Sequence, residues 1–229
     1  MEYSRNGIAF RIFSSDYDRI NSTLSQLIKE NIITPQNTDV IIDLQKIAGN
    51  KEEKGMILSS ILLEIPKSFN FRAIIISSDS FPDDFSSIQT NSSNTFPRDE
   101  EYIHERSLAL SDRLGFNYIY SDYGPASLEV IEFVPGMSPA FKIKYSTKSS
   151  YVCYKGMSGK KQGMNIDNVQ PLCADLVNSG SYYGKDFSFG DAYIDSVYTR
   201  TTQSAGNPTT WVQVAQNHHI ELIISLLSN

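Results

Sequence analysis

The chain has 229 residues, of which 40% are hydrophobic, 20% charged and 11% aromatic, and its formal charge is −6. That length suits one or at most two domains with a sizeable core, and 13 Tyr with 12 Phe argue against disorder. A net acidic surface repels phosphate backbones, so bulk nucleic-acid binding is not expected.

In chain order, Gly7 to Phe13 reads as a buried strand. Asp16 to Asn31 reads as an amphipathic helix, with Ile20, Leu24, Leu27 and Ile28 on one stripe. Asp39 to Leu44 and Phe71 to Ser78 are continuous apolar runs that suit strands covered on both faces. Between them Glu52 to Leu63 reads as a helix. Ser80 to Pro97 is rich in Ser, Asp and Asn and reads as a long loop. Arg98 to Leu114 reads as a helix stopped by Gly115, and Asn117 to Tyr123 as a fourth strand. Ala140 to Ser146 and Tyr151 to Lys155, separated by Thr147 to Ser150, form a hairpin. Ile166 to Val177 is helical, and a last helix runs from about Trp211 to Leu227. Thr210 and Gln213 have the spacing of its capping box.

Alternating strands and helices predict βα units on a parallel sheet, with the hairpin as an antiparallel element joining that sheet. The expected fold class is α/β: a partial TIM-barrel-like parallel sheet with a hairpin and a C-terminal helix, in a single domain over 1–229. A closed barrel takes about 250 residues and eight βα units, and this chain is short by roughly two. The chain therefore reads as a partial barrel, or as the C-terminal part of a longer fold.

Lys142, Lys144, Lys148, Lys155, Lys160 and Lys161 make one stretch basic, in the manner of lysines guarding a sheet edge. Cys153 and Cys173 have neither Cys-x-x-Cys nor zinc spacing and read as buried thiols. No apolar run approaches the roughly 18 residues of a membrane span, and Met1 to Asn6 carry no apolar signal region. The expectation is a cytoplasmic protein away from membranes.

The C-terminal fifty residues are the densest in chemistry. They read Tyr182-Tyr183-Gly184-Lys185-Asp186-Phe187-Ser188-Phe189-Gly190-Asp191, then Gly206-Asn207-Pro208, Thr210-Trp211 and Asn217-His218-His219. With Asp122-Tyr123-Gly124 and Tyr154-Lys155-Gly156, these blocks resemble the protein beta family, named from a satellite phage and found in prophages and bacterial mobile elements. The likeness covers most of the chain. It implies an α/β-barrel fold and a mobile-element or phage-defence setting, and it implies no reaction. Family members are longer at the N-terminus. This chain also departs from them at Phe189, where the family has Trp, and at Ala215-Gln216, where it has Gly-Thr.

Asp43 and Asp122 fall toward the carboxyl ends of parallel strands, where α/β sheets build sites. Either is a candidate acid, base or ligand, or the cap of a loop. Asp186 and Asp191 bracket Phe-Ser-Phe-Gly. They suit shared acid/base work, or a structured turn in which Asp191 caps a helix. His218 and His219 lie about 100° apart on a helix and cannot both face one centre. One of them facing the sheet is either a buried, hydrogen-bonded ring or an acid/base group. Tyr183, Phe189 and Trp211, with Tyr182 and Phe187, form an aromatic shelf or a core plug. Lys155 stands at a strand end where it can meet an anion, while Arg98 and Arg106 are less specific candidates. No motif names a cofactor, and no P-loop, Gly-x-Gly-x-x-Gly or Gly-x-Ser-x-Gly is present.

Two functions fit. The first is a binding or assembly protein that recognises a protein or small ligand through the aromatic C-terminal segment, with the exposed sheet edges of an incomplete barrel inviting a partner chain or self-association. The second is a hydrolase-type barrel enzyme for a phosphorylated or nucleotide-like substrate. Asp122 and Asp186 would be its acids, His218 or His219 its base, and Lys155 its charge-neutralising group.

Overall fold

The computed structural model describes residues 6–128, 140–159 and 164–228. In chain order the elements are β1 (Ile8–Ile12), α1 (Ile20–Lys29), β2 (Thr38–Lys46), α2 (Lys51–Glu64), β3 (Ala73–Asp79), β4 (Ser92–Pro97), α3 (Glu100–Leu114), β5 (Tyr118–Asp122), β6 (Ala140–Ser146), β7 (Ser150–Ser158), α4 (Ile166–Val177), α5 (Phe189–Tyr198) and α6 (Pro208–Leu227). The architecture is α/β, with a parallel sheet, an antiparallel sheet and a C-terminal helix. The chain divides into two compact units, Met1–Ser80 with Asp99–Tyr123, and Phe81–Arg98 with Gly124–Asn229. Among the described residues, no helix is long and apolar enough to cross a membrane.

The first unit carries a four-stranded parallel sheet in the order β1-β2-β3-β5. The order advances without reversal, and the register places Phe10 beside Val40, Ile42 beside Ile76, and Ile76 beside Tyr120. Val40, Ile42 and Leu44 are fully buried, as an uninterrupted apolar strand requires. Ile20, Leu24, Leu58, Ile61, Leu62, Ile103 and Leu110 complete the core. The expected first helix is α-helical only from Ile20, because Ser14–Arg19 forms a tighter 3₁₀ segment. α3 ends at Gly115, whose φ of 73° gives the left-handed cap that glycine adopts without strain.

The second unit corrects two sequence expectations. The hairpin β6–β7 does not extend the parallel sheet. It builds its own antiparallel sheet, in the order β4-β7-β6. The third strand, β4, comes from the segment read as a long loop and pairs Ser93 with Tyr154. Its sequence, Ser-Ser-Asn-Thr-Phe-Pro, is polar because β4 is an edge strand with mostly exposed side chains. Nothing in that composition alternates, and Pro97 sits at its end, where a missing N–H is harmless.

One face of this sheet, with Phe141, Ile143, Tyr145, Val152 and Tyr154, packs on α4, α5 and α6. The opposite face sets Tyr151 and Cys153 against Phe81, Phe85 and Ile88. Lys142 and Lys144 stand on β6, an edge strand of this sheet, and on this same face. Lys142 and Lys144 lie over the rings of Phe85 and Phe81, and Lys144 Nζ donates to the Pro125 carbonyl at 2.9 Å. Lys160 and Lys161 lie outside the described residues. Both cysteines are buried and unbridged, and burial pushes the Cys153 thiol up to about 12.

The cap of α6 is also corrected. Its N-cap is Asn207, which accepts from Thr210 N while Thr210 Oγ1 accepts from Asn207 N. Pro208 at the first helical position favours this earlier start, since its absent N–H is not needed there. α4 runs from Ile166 to Val177, as its periodicity predicts.

Candidate functional site

In the second unit, α5 begins at Ser188. Its hydroxyl accepts from Asp191 N at 3.0 Å and donates to Asp191 Oδ2 at 2.6 Å. This local cap places the Asp191 carboxylate in the first turn of α5, where the helix dipole favours it. Asp191 is fully buried. Tyr145 Oη donates to its Oδ1 at 2.7 Å, and His218 Nδ1 lies 2.8 Å from its Oδ2. Tyr182 Oη donates to its backbone carbonyl. Burial and the bond to Asp191 raise the pKa of Tyr145, so its hydroxyl stays a donor.

His218 is fully buried, and its Nε2 lies 2.8 Å from the Ser146 carbonyl. Both ring nitrogens therefore face oxygen partners. The ring stacks on Tyr145 with centroids 3.8 Å apart. His219 turns away from Asp191, as the helix step requires, and its Nδ1 lies 2.8 Å from Ser146 Oγ. The two histidines thus clasp the same residue of β6, one at its carbonyl and one at its hydroxyl. In a nucleophile–histidine–carboxylate relay, one ring nitrogen faces the nucleophile. Here that nitrogen is committed to a backbone carbonyl.

Above this buried centre Tyr145 Oη accepts from Tyr183 N at 2.9 Å. The rings of Tyr183 and Phe187, 4.7 Å apart, lie 5.7 and 5.5 Å from that of His218. Tyr183 is 42% exposed and Phe189 is 70% exposed. Asp186 is exposed. Trp211 is buried in the core, donating Nε1–H to the Ala205 carbonyl and meeting Phe141 edge-on. Lys155 Nζ donates to the Phe85 carbonyl at 2.9 Å. Of the candidate residues here, His218, Tyr183 and Phe187 come together; Trp211 and Lys155 serve core and backbone. The residue at the centre is Asp191, read from the sequence as one of an acid pair with Asp186 or as a helix cap; the cap is in fact Ser188, and Asp191 stands in the first turn of α5.

The first unit gathers polar groups at the carboxyl edge of its sheet. Asp43, at the end of β2, is fully buried. Its Oδ1 accepts from Gln45 N at 2.9 Å, and its Oδ2 from Arg11 Nε at 3.1 Å, Arg11 Nη2 at 2.5 Å and Tyr123 Oη at 2.6 Å. Arg11 Nη2 also donates to Tyr123 Oη, and Tyr17 Oη donates to the Asp43 carbonyl. Burial and the bond to Asp43 push the Tyr123 hydroxyl up to about 12. Asp79, at the end of β3, is buried against Lys46 at 3.2 Å, and Asp122, at the end of β5, accepts from Tyr120 Oη. The sequence flagged Asp43 and Asp122 but missed Arg11. The available signal was a lone charge inside the apolar run of β1. Arg98 and Arg106 donate to backbone carbonyls, Arg98 to Thr147 and Lys148 and Arg106 to Gly55. Among the described residues no group of three His, Cys, Asp or Glu side chains is arranged to hold a metal ion.

Glu100 opens α3, almost fully buried, accepting from Ser80 N at 2.6 Å and from Ser80 Oγ. Burial raises its pKa. The folded state then holds the proton more tightly than the unfolded state, so stability falls as pH rises through and above the ordinary glutamate value of about 4.3. Glu100→Gln is expected to remove that slope. Melting temperatures followed across this range should show the variant gaining on the wild type as pH rises; the opposite trend would refute the assignment.

Residues 2–225 match the family model described as Beta protein. The chain is also similar to Protein beta of Enterobacteria phage P4, at 25% identity over 232 residues, covering 99% of this chain. It spans 60% of the length of that curated relative. No solved structure matches it.

Proposed function

Since this chain belongs to the Beta protein family, we propose that it is a phage- or mobile-element-associated binding or assembly protein. It recognises a protein or small ligand, a second copy of itself included, through the aromatic face of Tyr183, Phe187 and Phe189. The phage setting is supported by the likeness to the phage P4 protein. The observation that carries the binding role is the exposure of Phe189 and of Tyr183, the latter with its ring 5.7 Å from that of a histidine whose two nitrogens are both engaged. Exposed aromatics on a rigid support are the residue types that anchor interfaces. A buried and fully bonded His218 has no nitrogen left for proton transfer to a substrate.

The test is photo-crosslinking from benzoylphenylalanine placed at Phe189, with the same group at exposed Ser25 as control. A discrete adduct from position 189, absent from position 25 and identified by mass spectrometry, is the expected result. Equal labelling from both positions removes the support for an aromatic recognition face.

A hydrolase reading keeps one observation in its favour, the polar groups at the carboxyl edge of the parallel sheet. Asp122 is among them, whereas the two histidines and Asp186 belong to the second unit. On that edge Asp122 would serve such an enzyme as its acid.

A further inference from the structure

Arg11 is held in a way that neutralising Asp43 does not require. A guanidinium has five N–H donors. Nε–H and one Nη2–H are fixed on Asp43 Oδ2, and Nη2 also reaches Tyr123 Oη. The two N–H groups of Nη1 have no partner among the described residues. The plane is fixed from its faces as well, with the guanidinium carbon 5.0 Å from the Phe13 ring centroid and 5.8 Å from that of Tyr123. Asp43 is itself saturated: Gln45 N closes its other oxygen, at the price of a left-handed φ of 55° at Gln45.

Exposure divides the ion pair. The Asp43 side chain is 0% exposed and the Arg11 side chain 44%. The carboxylate is therefore sealed beneath, while the positive edge faces outward at the carboxyl end of parallel strands, where ligands of α/β sheets bind. Tyr17 locks the Asp43 backbone from the side. An Arg that only neutralised a buried Asp would need none of this aromatic clamping of its outer face.

We propose that Arg11, positioned by Asp43 and Tyr123, anchors an oxyanion-binding site at the carboxyl edge of the four-stranded sheet. The ligand class is a small molecule bearing a carboxylate or terminal phosphoryl group, whose oxygens accept the two Nη1–H donors. Arginine suits this task because its planar donors match such groups and its charge is permanent. The proposal does not rest on the aromatic face of the second unit.

The test is NMR of the arginine side-chain nitrogens in the whole chain, titrated with inorganic phosphate or with acetate at constant ionic strength in chloride. A saturable shift of the Arg11 resonances is expected. Saturation by phosphate alone identifies a phosphoryl ligand; saturation by acetate identifies a carboxylate. The double variant Arg11→Gln/Asp43→Asn removes both charges and keeps an amide pair, which preserves the fold better than removing one partner of a buried pair. It should weaken phosphate or acetate binding at least about ten-fold. Shifts that never saturate with either anion, or that fall on other arginines, overturn the proposal. So does a folded double variant that binds as the wild type does.

Discussion

Asp191→Ala is expected to lower stability by about 3 kcal/mol or more, because it removes a buried acceptor shared by several side chains. The carboxylate bonds Tyr145, Ser188 and His218 at once, so alanine strands two buried groups and the half-buried Ser188 hydroxyl. Each stranded group costs about 1–3 kcal/mol by itself, and relaxation of the site keeps their sum from being reached. The loss also reaches the surface, because Tyr145 no longer has an acceptor and it is Tyr145 that receives Tyr183 N. Asp191→Asn is expected to cost less, since one oxygen survives to accept from Tyr145. Urea unfolding followed by circular dichroism measures both, and the double variant with His218→Ala completes the cycle. If Asp191→Ala unfolds within about 1 kcal/mol of the wild type, the buried centre is not what holds β6, α5 and α6 together.

Gly190→Ala is the second large effect. A Cβ at this position would lie 2.4 Å from the Val214 carbonyl oxygen and 3.3 Å from His218 N. Both are backbone atoms of α6, so no side chain can rotate away. Alanine gains about 0.8–1.0 kcal/mol of helix propensity over glycine. Against that, overpacking a core costs about 1–3 kcal/mol even where side chains can yield. The net expectation is a loss of about 2 kcal/mol or more, with α5 and α6 pushed apart and the bond from Gly190 N to Asn217 Oδ1 lengthened. A Gly190→Ala protein with an unchanged urea midpoint would show that the helices are not in such close contact.

The legible parts of the fold were those fixed by local chemistry. Val40, Ile42 and Leu44 announce one buried face of β2, while Asp39 and Ile41 on its other face are half-buried; Gly115 announces the end of α3, and α4 follows its own periodicity. β4 was illegible because an edge strand has one row of partners and mostly solvent on its faces, so its polar residues satisfy the same pattern as a loop. The shift of the α6 cap came from Asn207 and Pro208, which outcompete Thr210 for the start. At the candidate site, the sequence names His218, Tyr183 and Asp122 singly; His218 and Tyr183 lie together in the second unit, and Asp122 belongs to the first. The sequence could not pair Asp191 with His218, because 27 residues separate them and the only short-range signal, Ser188, ties Asp191 to a local cap. Arg11 showed only as a lone charge in the apolar run of β1, because its partners Asp43 and Tyr123 lie 32 and 112 residues away.

The excursion of residues 81–98 out of one unit and into the other sets a timetable for synthesis. β4 emerges from the ribosome before α3 and β5, yet its partner β7 begins only at Ser150. At about 5–20 residues per second, the roughly fifty intervening residues keep β4 waiting for about 3–10 seconds. During that time Phe81, Phe85 and Ile88 have no Tyr151 and Cys153 to cover them. The polar lettering of β4 then has a second use, since a strand of Ser, Asn and Thr is a poor template for another nascent chain. A pause placed by slow codons just before β7 would lengthen that exposure, and one placed after it would not.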